Sequence, residues 1–240
     1  MPLHLLESRF PERFPATHLA ERHPNGLLAL GGDLRPARLL AAYRHGIFPW
    51  FSEGEPPLWW APDPRCVLLP AEIHRSRRWL RWLRGCDWEI SADRDFAAVI
   101  EGCAAPREPG GGTWIIAAMV DAYSELHRLG YAHSLEVRAE QRLIGGLYGV
   151  SIGGAFFAES MYSLRSEASK VALVALALQL HRWGFGLIDV QMSSEHLLTM
   201  GARNISRQAF EEALAVALAV EQPVGDWGER WTLRRASNLL

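Results

Sequence analysis

Apolar and polar positions are most sharply patterned in residues 156–191. An apolar segment that ends at Glu159 is typical of a strand, and a long, almost wholly apolar stretch predicts a buried helix from about residue 167 to 183. Gly184 ends this helix, and the alternation over Leu187–Gln191 predicts a second strand. The pattern therefore predicts a strand–helix–strand unit at the centre of the chain.

Polar side chains interrupt the second of these strands. Residues two apart in a strand point to the same face, so Asp189 and Gln191 are predicted to project together, opposite Ile188 and Val190. An acid and an amide on so apolar a strand have two explanations of about equal weight. One is a buried polar network that ties strand to helix. The other is a catalytic site formed by Asp189, Gln191 and Glu159.

The remaining pattern predicts a mixed α/β (α+β) protein with two domains, residues 1–65 and 66–240. The first is predicted to be small and irregular, with a helix after Pro36 and no regular structure in the proline-rich stretch 55–65. The second is predicted to contain strands near 66–70, 88–90, 132–138, 142–150 and 154–159, of which the last three form an antiparallel meander. Helices are predicted over 72–84, 96–103, 115–127 and 207–220, followed by a loose tail.

Composition narrows the possible functions. The net charge of −2 over 240 residues gives no global sign of nucleic-acid binding, so any basic surface must be local. Three widely spaced cysteines without a CxxC pair argue against a disulfide framework or a zinc site, and the histidines show no HExxH spacing. We therefore expect no metal. The N-terminus lacks a signal peptide and no apolar run is long enough to span a bilayer, which predicts a cytoplasmic protein without membrane contact.

A local basic surface is predicted on the helix over 72–84. Arg77, Arg81 and Arg84 fall on one helical face and have no acidic partner within the helix. Such a row is usually a solvated face, but it is also the best phosphate-binding candidate in the chain. The ten tryptophans are core anchors by default, although an aromatic surplus also suits stacking on bases.

The order of elements in the second domain resembles the acetyltransferase-type (GNAT-like) mixed-sheet fold, in which acyl chemistry occurs where two strands part. Linear motifs extend the resemblance to one family, the leucyl/phenylalanyl-tRNA–protein transferases. These motifs are GLLA at 26–29, GGDL at 31–34, AY at 42–43, GIFPWF at 46–51, LWWAPDPR at 58–65, GTWI at 112–115, AHSLEV at 132–137, GGLYGV at 145–150, ESMYS at 159–163, ASK at 168–170 and LIDVQ at 187–191. They cover nearly the whole chain, which makes them far more specific than one short motif.

The resemblance implies an enzyme that moves leucine or phenylalanine, with methionine as a further candidate, from aminoacyl-tRNA to the N-terminal amine of proteins. Leu-tRNA and Phe-tRNA are the implied donors. Proteins that begin with Arg or Lys are the implied acceptors, and the product is marked for degradation. Neither a cofactor nor a metal is implied, because the donor ester is already activated. The chain departs from the family's usual pattern at Ala158, Tyr162 and Arg138.

The resemblance also implies site residues. The catalytic positions correspond to Asp189, Gln191 and Glu159, and the aromatic walls around the aminoacyl-adenosine end to Trp50 and Trp114. The pocket for the amino-acid side chain corresponds to Leu147, Phe156, Leu173, Leu176, Leu180 and Ile188. The tRNA-contacting helix corresponds to Arg77, Arg81 and Arg84. We expect Asp189 to accept a hydrogen bond from the amine and orient it, either with or without taking its proton. Gln191 is expected to donate to the ester carbonyl or hold Asp189, and Glu159 to order the network and favour a cationic N-terminal residue.

Three other functions fit parts of the same sequence. An acyl-coenzyme-A N-acetyltransferase would need a glycine-rich turn for the pyrophosphate, and residues 161–167 contain no glycine. A non-enzymatic tRNA-binding adaptor would leave Asp189 and Gln191 without a role. An aminoacyl-tRNA-dependent ligase that builds cell-wall bridges shares the donor and the fold, and only the acceptor distinguishes it.

Overall fold

Two β-sheets organise the protein, whose computed structural model describes residues 3–106 and 115–240. The larger sheet has seven strands in the order β11-β5-β10-β9-β8-β7-β6. Its strands are β5 (Arg65–Leu68), β6 (Glu89–Ala92), β7 (Ala132–Ala139), β8 (Arg142–Ile152), β9 (Ala155–Ser163), β10 (Leu187–Gln191) and β11 (Arg203–Ile205). The predicted meander is thus confirmed as β7-β8-β9. Strands β9 and β10 pair in parallel, and the other neighbours in this sheet are antiparallel.

Helices cover both faces of this sheet. They are α1 (Pro36–Arg44), α2 (Arg77–Leu83), α3 (Phe96–Ala104), α4 (Ala117–Arg128), α5 (Ala168–Arg182), α6 (Glu195–Thr199) and α7 (Arg207–Leu218). Helix α5 packs on one face, where every residue from Val171 to Ala177 is buried. Helices α1, α3, α4 and α7 contribute to a second core on the other face. The protein is therefore a mixed α/β fold, as predicted. No helix within the described ranges is long and apolar enough to cross a membrane.

The N-terminal unit is more regular than the sequence predicts. Residues 4–60 contribute a four-stranded sheet in the order β1-β2-β4-β3, formed by β1 (His4–Leu6), β2 (Leu27–Gly31), β3 (Phe48–Pro49) and β4 (Leu58–Trp60). Strand β4 lies inside the proline-rich stretch, for which the sequence predicts no regular structure. The prolines flank the strand, so its two tryptophans keep their backbone N–H groups and pair with β2 and β3.

The N-terminal sheet and the larger sheet share a core. Leu28 and Trp59 of the first sheet belong to the same hydrophobic cluster as Phe157 and Leu187 of the second. The division predicted at residue 65 falls between β4 and β5, where the chain passes from one sheet to the other. That each part is a separate domain stays a prediction.

Three further differences concern short elements. The helix predicted over 72–84 is shorter, because Ser76 caps it by accepting a hydrogen bond from the Trp79 N–H, and residues 70–72 form a separate 3-10 turn. Helix α6 and strand β11 are absent from the prediction, since a few residues carry too little periodicity. The tail is packed rather than loose: Trp227 and Trp231 are 1% exposed, and Trp227 stacks on His133.

Candidate active site

The site lies where β9 and β10 part. The two strands run side by side from the pair Leu187–Ala155 to the pair Asp189–Phe157. Beyond this point β9 continues to Ser163, whereas β10 ends at Gln191. The backbone therefore opens a gap in the sheet immediately after Asp189, and the three predicted catalytic side chains lie around it.

Asp189 is fully buried and its carboxylate is held from two sides. Arg65 on β5 donates from Nε to Oδ1 at 2.8 Å and from Nη2 to Oδ2 at 2.6 Å. The backbone N–H of Gln191 donates to Oδ1 at 2.9 Å. Arg65 is itself 1% exposed, with its guanidinium 4.7 Å from the ring centroid of Phe48 and 4.6 Å from that of Phe210. The carboxylate thus fixes the end of β10 and does not line the cavity described below.

Gln191 breaks the alternation of β10. Its φ is +61° and the pairing register shifts between Asp189 and Gln191, so the backbone turns at this residue. This irregularity interrupts the alternation from which the sequence predicts that Asp189 and Gln191 project together. Asp189 reaches toward β5 on one side, whereas Gln191 donates from Nε2 to Oε1 of Glu159 on β9, at 2.9 Å. The Nε2 of Gln191 thus has a hydrogen-bond acceptor, whereas its Oε1 accepts no hydrogen bond from the described residues.

Glu159 occupies a bulge. Tyr148 pairs with Ser160 and the next residue, Gly149, pairs with Ala158, so Glu159 is the extra residue on β9. Gly149 is required for this geometry, because a Cβ at that position would lie 2.2 Å from the backbone oxygen of Phe157. The bulge turns the Glu159 side chain toward Gln191.

Two tyrosines complete the network around Glu159. The Tyr123 hydroxyl donates to Oε2 of Glu159 at 2.9 Å, and the Tyr43 and Tyr123 hydroxyls are hydrogen-bonded to each other. Burial raises the pKa of Glu159 to about 7, and the hydrogen bonds from Tyr43 and Tyr123 oppose that rise. Burial also holds the pKa values of both tyrosines well above their ordinary value. Glu159 is therefore the group of the site that changes charge near neutral pH.

This raised pKa predicts a pH dependence of stability. Folded Glu159 keeps its proton up to about pH 7, whereas the ordinary pKa of a glutamate is 4.5, so its stabilising contribution is complete at low pH and is lost as pH rises to about 7. We expect the decrease in unfolding free energy between pH 4.5 and pH 8 to be smaller in Glu159→Gln, by about 3 kcal/mol. Urea denaturation at the two pH values measures this, and equal decreases in the two proteins would contradict it.

A cavity of about 180 Å³ opens beside this network. Its apolar wall combines side chains from both parted strands, from β8 and from two helices, and its polar edge carries the acid and the amide. The lining residues are Leu147, Ala158, Glu159, Ser160, Met161, Leu173, Val190, Gln191 and Leu197. An apolar cavity of about 150 Å³ is large enough to take up benzene. The cavity therefore has room for one apolar side chain of leucine or phenylalanine size.

The predicted pocket residues divide into two groups. Leu147 and Leu173 line the cavity, and the other four lie in the core without a share in its wall: Phe156, Leu176, Leu180 and Ile188. Sequence reasoning missed Met161 and Leu197. Met161 stands opposite Leu147 in the meander, which the turn positions in the sequence could have indicated. Leu197 lies on the short helix α6, which carries no periodic signal in the sequence.

The remaining predicted residues lie on the surface or outside the described ranges. Arg77, Arg81 and Arg84 are exposed, as a phosphate-binding row requires. Trp50 is 38% exposed and directly follows β3, with its ring centroid 5.6 Å from that of Trp60 on β4. It does not line the cavity. Trp114 lies outside the described residues.

Sequence reasoning also missed the residues that hold the site together. These are Arg65, Tyr43 and Tyr123. The sequence offers two signals for them, an arginine at the start of an apolar strand and tyrosines on the apolar faces of predicted helices. The three cysteines are free and buried. In the part of the chain that the structure describes, no three His, Cys, Asp or Glu residues are grouped so as to hold a metal ion.

An acid and an amide at the edge of a cavity sized for one apolar side chain suit an enzyme that transfers an apolar acyl group. Comparison with known proteins identifies the family. The family model described as leucyl/phenylalanyl-tRNA protein transferase matches residues 67–215, and the model of its N-terminal domain matches residues 32–63. The chain belongs to the leucyl/phenylalanyl-tRNA–protein transferase family.

Relatives match over nearly their whole length. A protein of Xanthomonas campestris pv. campestris (strain 8004) named leucyl/phenylalanyl-tRNA–protein transferase is 52% identical, over 98% of this chain and 95% of its own. One of the same name from Stutzerimonas stutzeri (strain A1501) is 55% identical, over 89% of this chain and 94% of its own.

Solved structures are much less similar. L-PGS from Bacillus licheniformis is 11% identical, with a TM-score of 0.37 over 67% of this chain and 52% of its own. A GCN5-related N-acetyltransferase from Kribbella flavida is also 11% identical, with a TM-score of 0.34 over 71% of this chain and 61% of its own. The family assignment rests on the sequence matches alone.

Proposed function

We propose that the chain transfers leucine or phenylalanine from aminoacyl-tRNA to the N-terminal amine of proteins that begin with Arg or Lys. The observation that carries this is the cavity of about 180 Å³, whose apolar wall suits either side chain and whose polar edge carries Glu159 and Gln191. An apolar wall excludes polar amino acids by the cost of desolvating them. It separates leucine from phenylalanine or methionine only weakly, since one methylene contributes about 1–3 kcal/mol.

The reaction forms one bond and breaks one. The nitrogen of the acceptor amine bonds to the carbonyl carbon of the aminoacyl ester, and the bond from that carbon to the ribose oxygen breaks. The nitrogen loses a proton and the ribose oxygen gains one. The free amine of a protein N-terminus has a pKa of roughly 7.7–8.0, so neutralising it at pH 7 costs only about 1 kcal/mol. Holding amine and ester in line contributes more, roughly 7–11 kcal/mol.

Gln191 is the side chain placed to hold the amine. Its Nε2 is bound to Glu159, which leaves Oε1 available to accept a hydrogen bond from the attacking nitrogen. This assigns to Gln191 the contact that the sequence suggested for Asp189, whose oxygens are bound to Arg65 and to the Gln191 backbone. Asp189 then acts as a positioning residue for the end of β10.

Glu159 supports the preference for a basic acceptor. It lines the cavity edge, and its pKa of about 7 means that it is partly ionised at neutral pH and more fully so above. A carboxylate there attracts the guanidinium or ammonium of an N-terminal Arg or Lys. The sequence-based roles of Trp50 and Trp114 at the adenosine end stay predictions. So do degradation of the product and a cytoplasmic location.

A transfer assay tests the proposal. The protein is incubated with labelled Leu-tRNA or Phe-tRNA and with three peptides that differ only in an N-terminal Arg, Lys or Ala. We expect label on the Arg and Lys peptides and little on the Ala peptide. Absence of label from all three would overturn the proposal, whereas equal labelling would overturn only the acceptor preference.

The arginine row predicts salt-sensitive tRNA binding. Arg77 and Arg81 are exposed on α2, and removing one cation that neutralises a phosphate should reduce the slope of log affinity against log salt by about 0.7–0.9. We expect the variant Arg77→Glu/Arg81→Glu to bind tRNA more weakly and with a shallower slope. Filter binding from low to moderate salt measures both.

A matched control has the same charge change elsewhere. Arg9 and Arg13 are 72% and 70% exposed in the N-terminal segment, and Arg9→Glu/Arg13→Glu should bind tRNA as the parent protein does. If the α2 variant keeps the affinity and slope of this control, the arginine row does not contact tRNA.

A further inference from the structure

Lys170 is a mostly buried lysine near the cavity, and the proposed function gives it no role. It is the single lysine among the 25 basic residues of the chain, the rest of which are arginines. Its side chain is only 21% exposed, on the first turn of α5. A cation at the start of a helix is disfavoured by the helix dipole, so helix stability does not account for it.

The Lys170 ammonium has weak partners within the described residues. Its nearest carboxylate oxygen there is Oε2 of Glu167, at 3.9 Å, which is beyond hydrogen-bond distance. The ammonium lies 5.1 Å from the ring centroid of Trp79 on α2. Burial lowers the pKa of the His196 imidazole, and the nearby charge of Lys170 lowers it further. Among these residues, the three N–H donors of the ammonium thus have no close acceptor, although most of the Lys170 side chain is buried.

The position of Lys170 links two parts of the proposed donor site. Leu173, three residues later on α5, lines the cavity, and one helical turn spans about 5.4 Å. His196 precedes Leu197, another cavity residue. On its other side Lys170 lies on Trp79, which belongs to the helix that carries Arg77 and Arg81. Lys170 thus lies between a cavity-lining residue of α5 and the helix that carries the arginine row.

We propose that Lys170 binds the phosphodiester group next to the terminal adenosine of the donor tRNA. The inference rests on the proposed function, which places the aminoacyl group in the cavity and the tRNA backbone on α2. The phosphate is one ribose away from the ester, and an ammonium binds it as a compact point charge, whereas an arginine would present a broad planar fork. Lys170 is then a positioning residue that sets where the aminoacyl end enters.

Donors of increasing length test this. They are leucyl-adenosine, which has no phosphate, the leucyl ester of the dinucleotide CpA, which has one, and Leu-tRNA. In Lys170→Met we expect KM to rise about 10- to 100-fold for the two donors with phosphate, with kcat little changed. KM for leucyl-adenosine should stay at the parent value. Lys170→Arg, which keeps the charge, should lie between the two proteins.

The controls separate the alternatives. Arg182→Met removes a cation from the other end of α5 and should leave all three KM values unchanged. If Lys170→Met raises KM for leucyl-adenosine as much as for the phosphate donors, Lys170 shapes the cavity and the proposal is wrong. Unchanged KM values for all three donors would also overturn it. Failure of the proposed function appears separately, as absence of transfer by the parent protein.

A measurement without turnover gives a second test. Reductive methylation with ¹³C-formaldehyde labels Lys170 and the N-terminal amine only, and Lys170→Met identifies which signal belongs to the lysine. We expect saturating CpA to shift the Lys170 methyl signal and saturating adenosine not to shift it. Equal shifts with both, or no shift with either, would contradict a phosphate contact.

Discussion

Asp189→Asn is expected to lower the free energy of unfolding by about 3–5 kcal/mol, because it leaves the charge of Arg65 buried without its partner. Both side chains are almost completely buried and are joined by two hydrogen bonds, of 2.8 and 2.6 Å. Arg65→Met should destabilise the protein to a similar extent, since it leaves the carboxylate unpaired. Urea denaturation of both variants measures the decrease.

A double variant separates stability from activity. Arg65→Met/Asp189→Leu replaces the ion pair by apolar side chains between Phe48 and Phe210, and should restore most of the stability. It should not restore transfer activity, since the Gln191 backbone N–H no longer has its acceptor. Normal turnover in the double variant, or near-normal turnover in Asp189→Asn, would mean that Asp189 does not serve the reaction.

Gln191→Ala is expected to reduce kcat about 100- to 1,000-fold, which is the usual effect of removing one hydrogen-bonding group that acts on the reacting atoms. The free energy of unfolding should change little, because the side chain is only half-buried. The positive φ of residue 191 is similarly unfavourable for alanine and for glutamine, so the backbone strain stays the same. Single-turnover assays with Leu-tRNA and an Arg-initiated peptide measure the rate.

Gln141→Ala is the matched control for this variant. Gln141 is an exposed amide that donates to Glu89 at 3.4 Å, on the turn between β7 and β8. Its removal should leave the rate unchanged. If Gln191→Ala turns over at the rate of this control, the amide does not hold the amine and the assignment must pass to Glu159.

Much of the fold could be predicted from the sequence. The meander, the buried helix α5 and the strand β10 are predictable because each is long or sharply periodic, and local pattern is strongest in such segments. The small N-terminal sheet is not, because its strands are two to five residues long and pair across distant segments. Strands this short gain their order from their partners and carry little signal of their own.

The candidate site, like the fold, could be predicted only in part from the sequence. The sequence identified Asp189, Gln191 and Glu159 as a group, and they do lie at one gap in the sheet. It did not predict the backbone irregularities at these residues, because the predicted strands alternate without interruption. The bulge at Glu159 and the positive φ of Gln191 break that alternation. A one-residue irregularity changes where a side chain points but hardly alters the hydrophobic pattern.

The sequence by itself determined the family, the layered α/β class and the residue types available for acyl transfer. Only the tertiary structure decided which of these residues meet. Arg65, Tyr43, Tyr123 and Lys170 are far from one another in the chain, and their partners were fixed by the packing of β5, α1, α4 and α5 around the gap. The physical reason is that charge and hydrogen bonding act over a few ångströms of space, whatever the separation along the sequence.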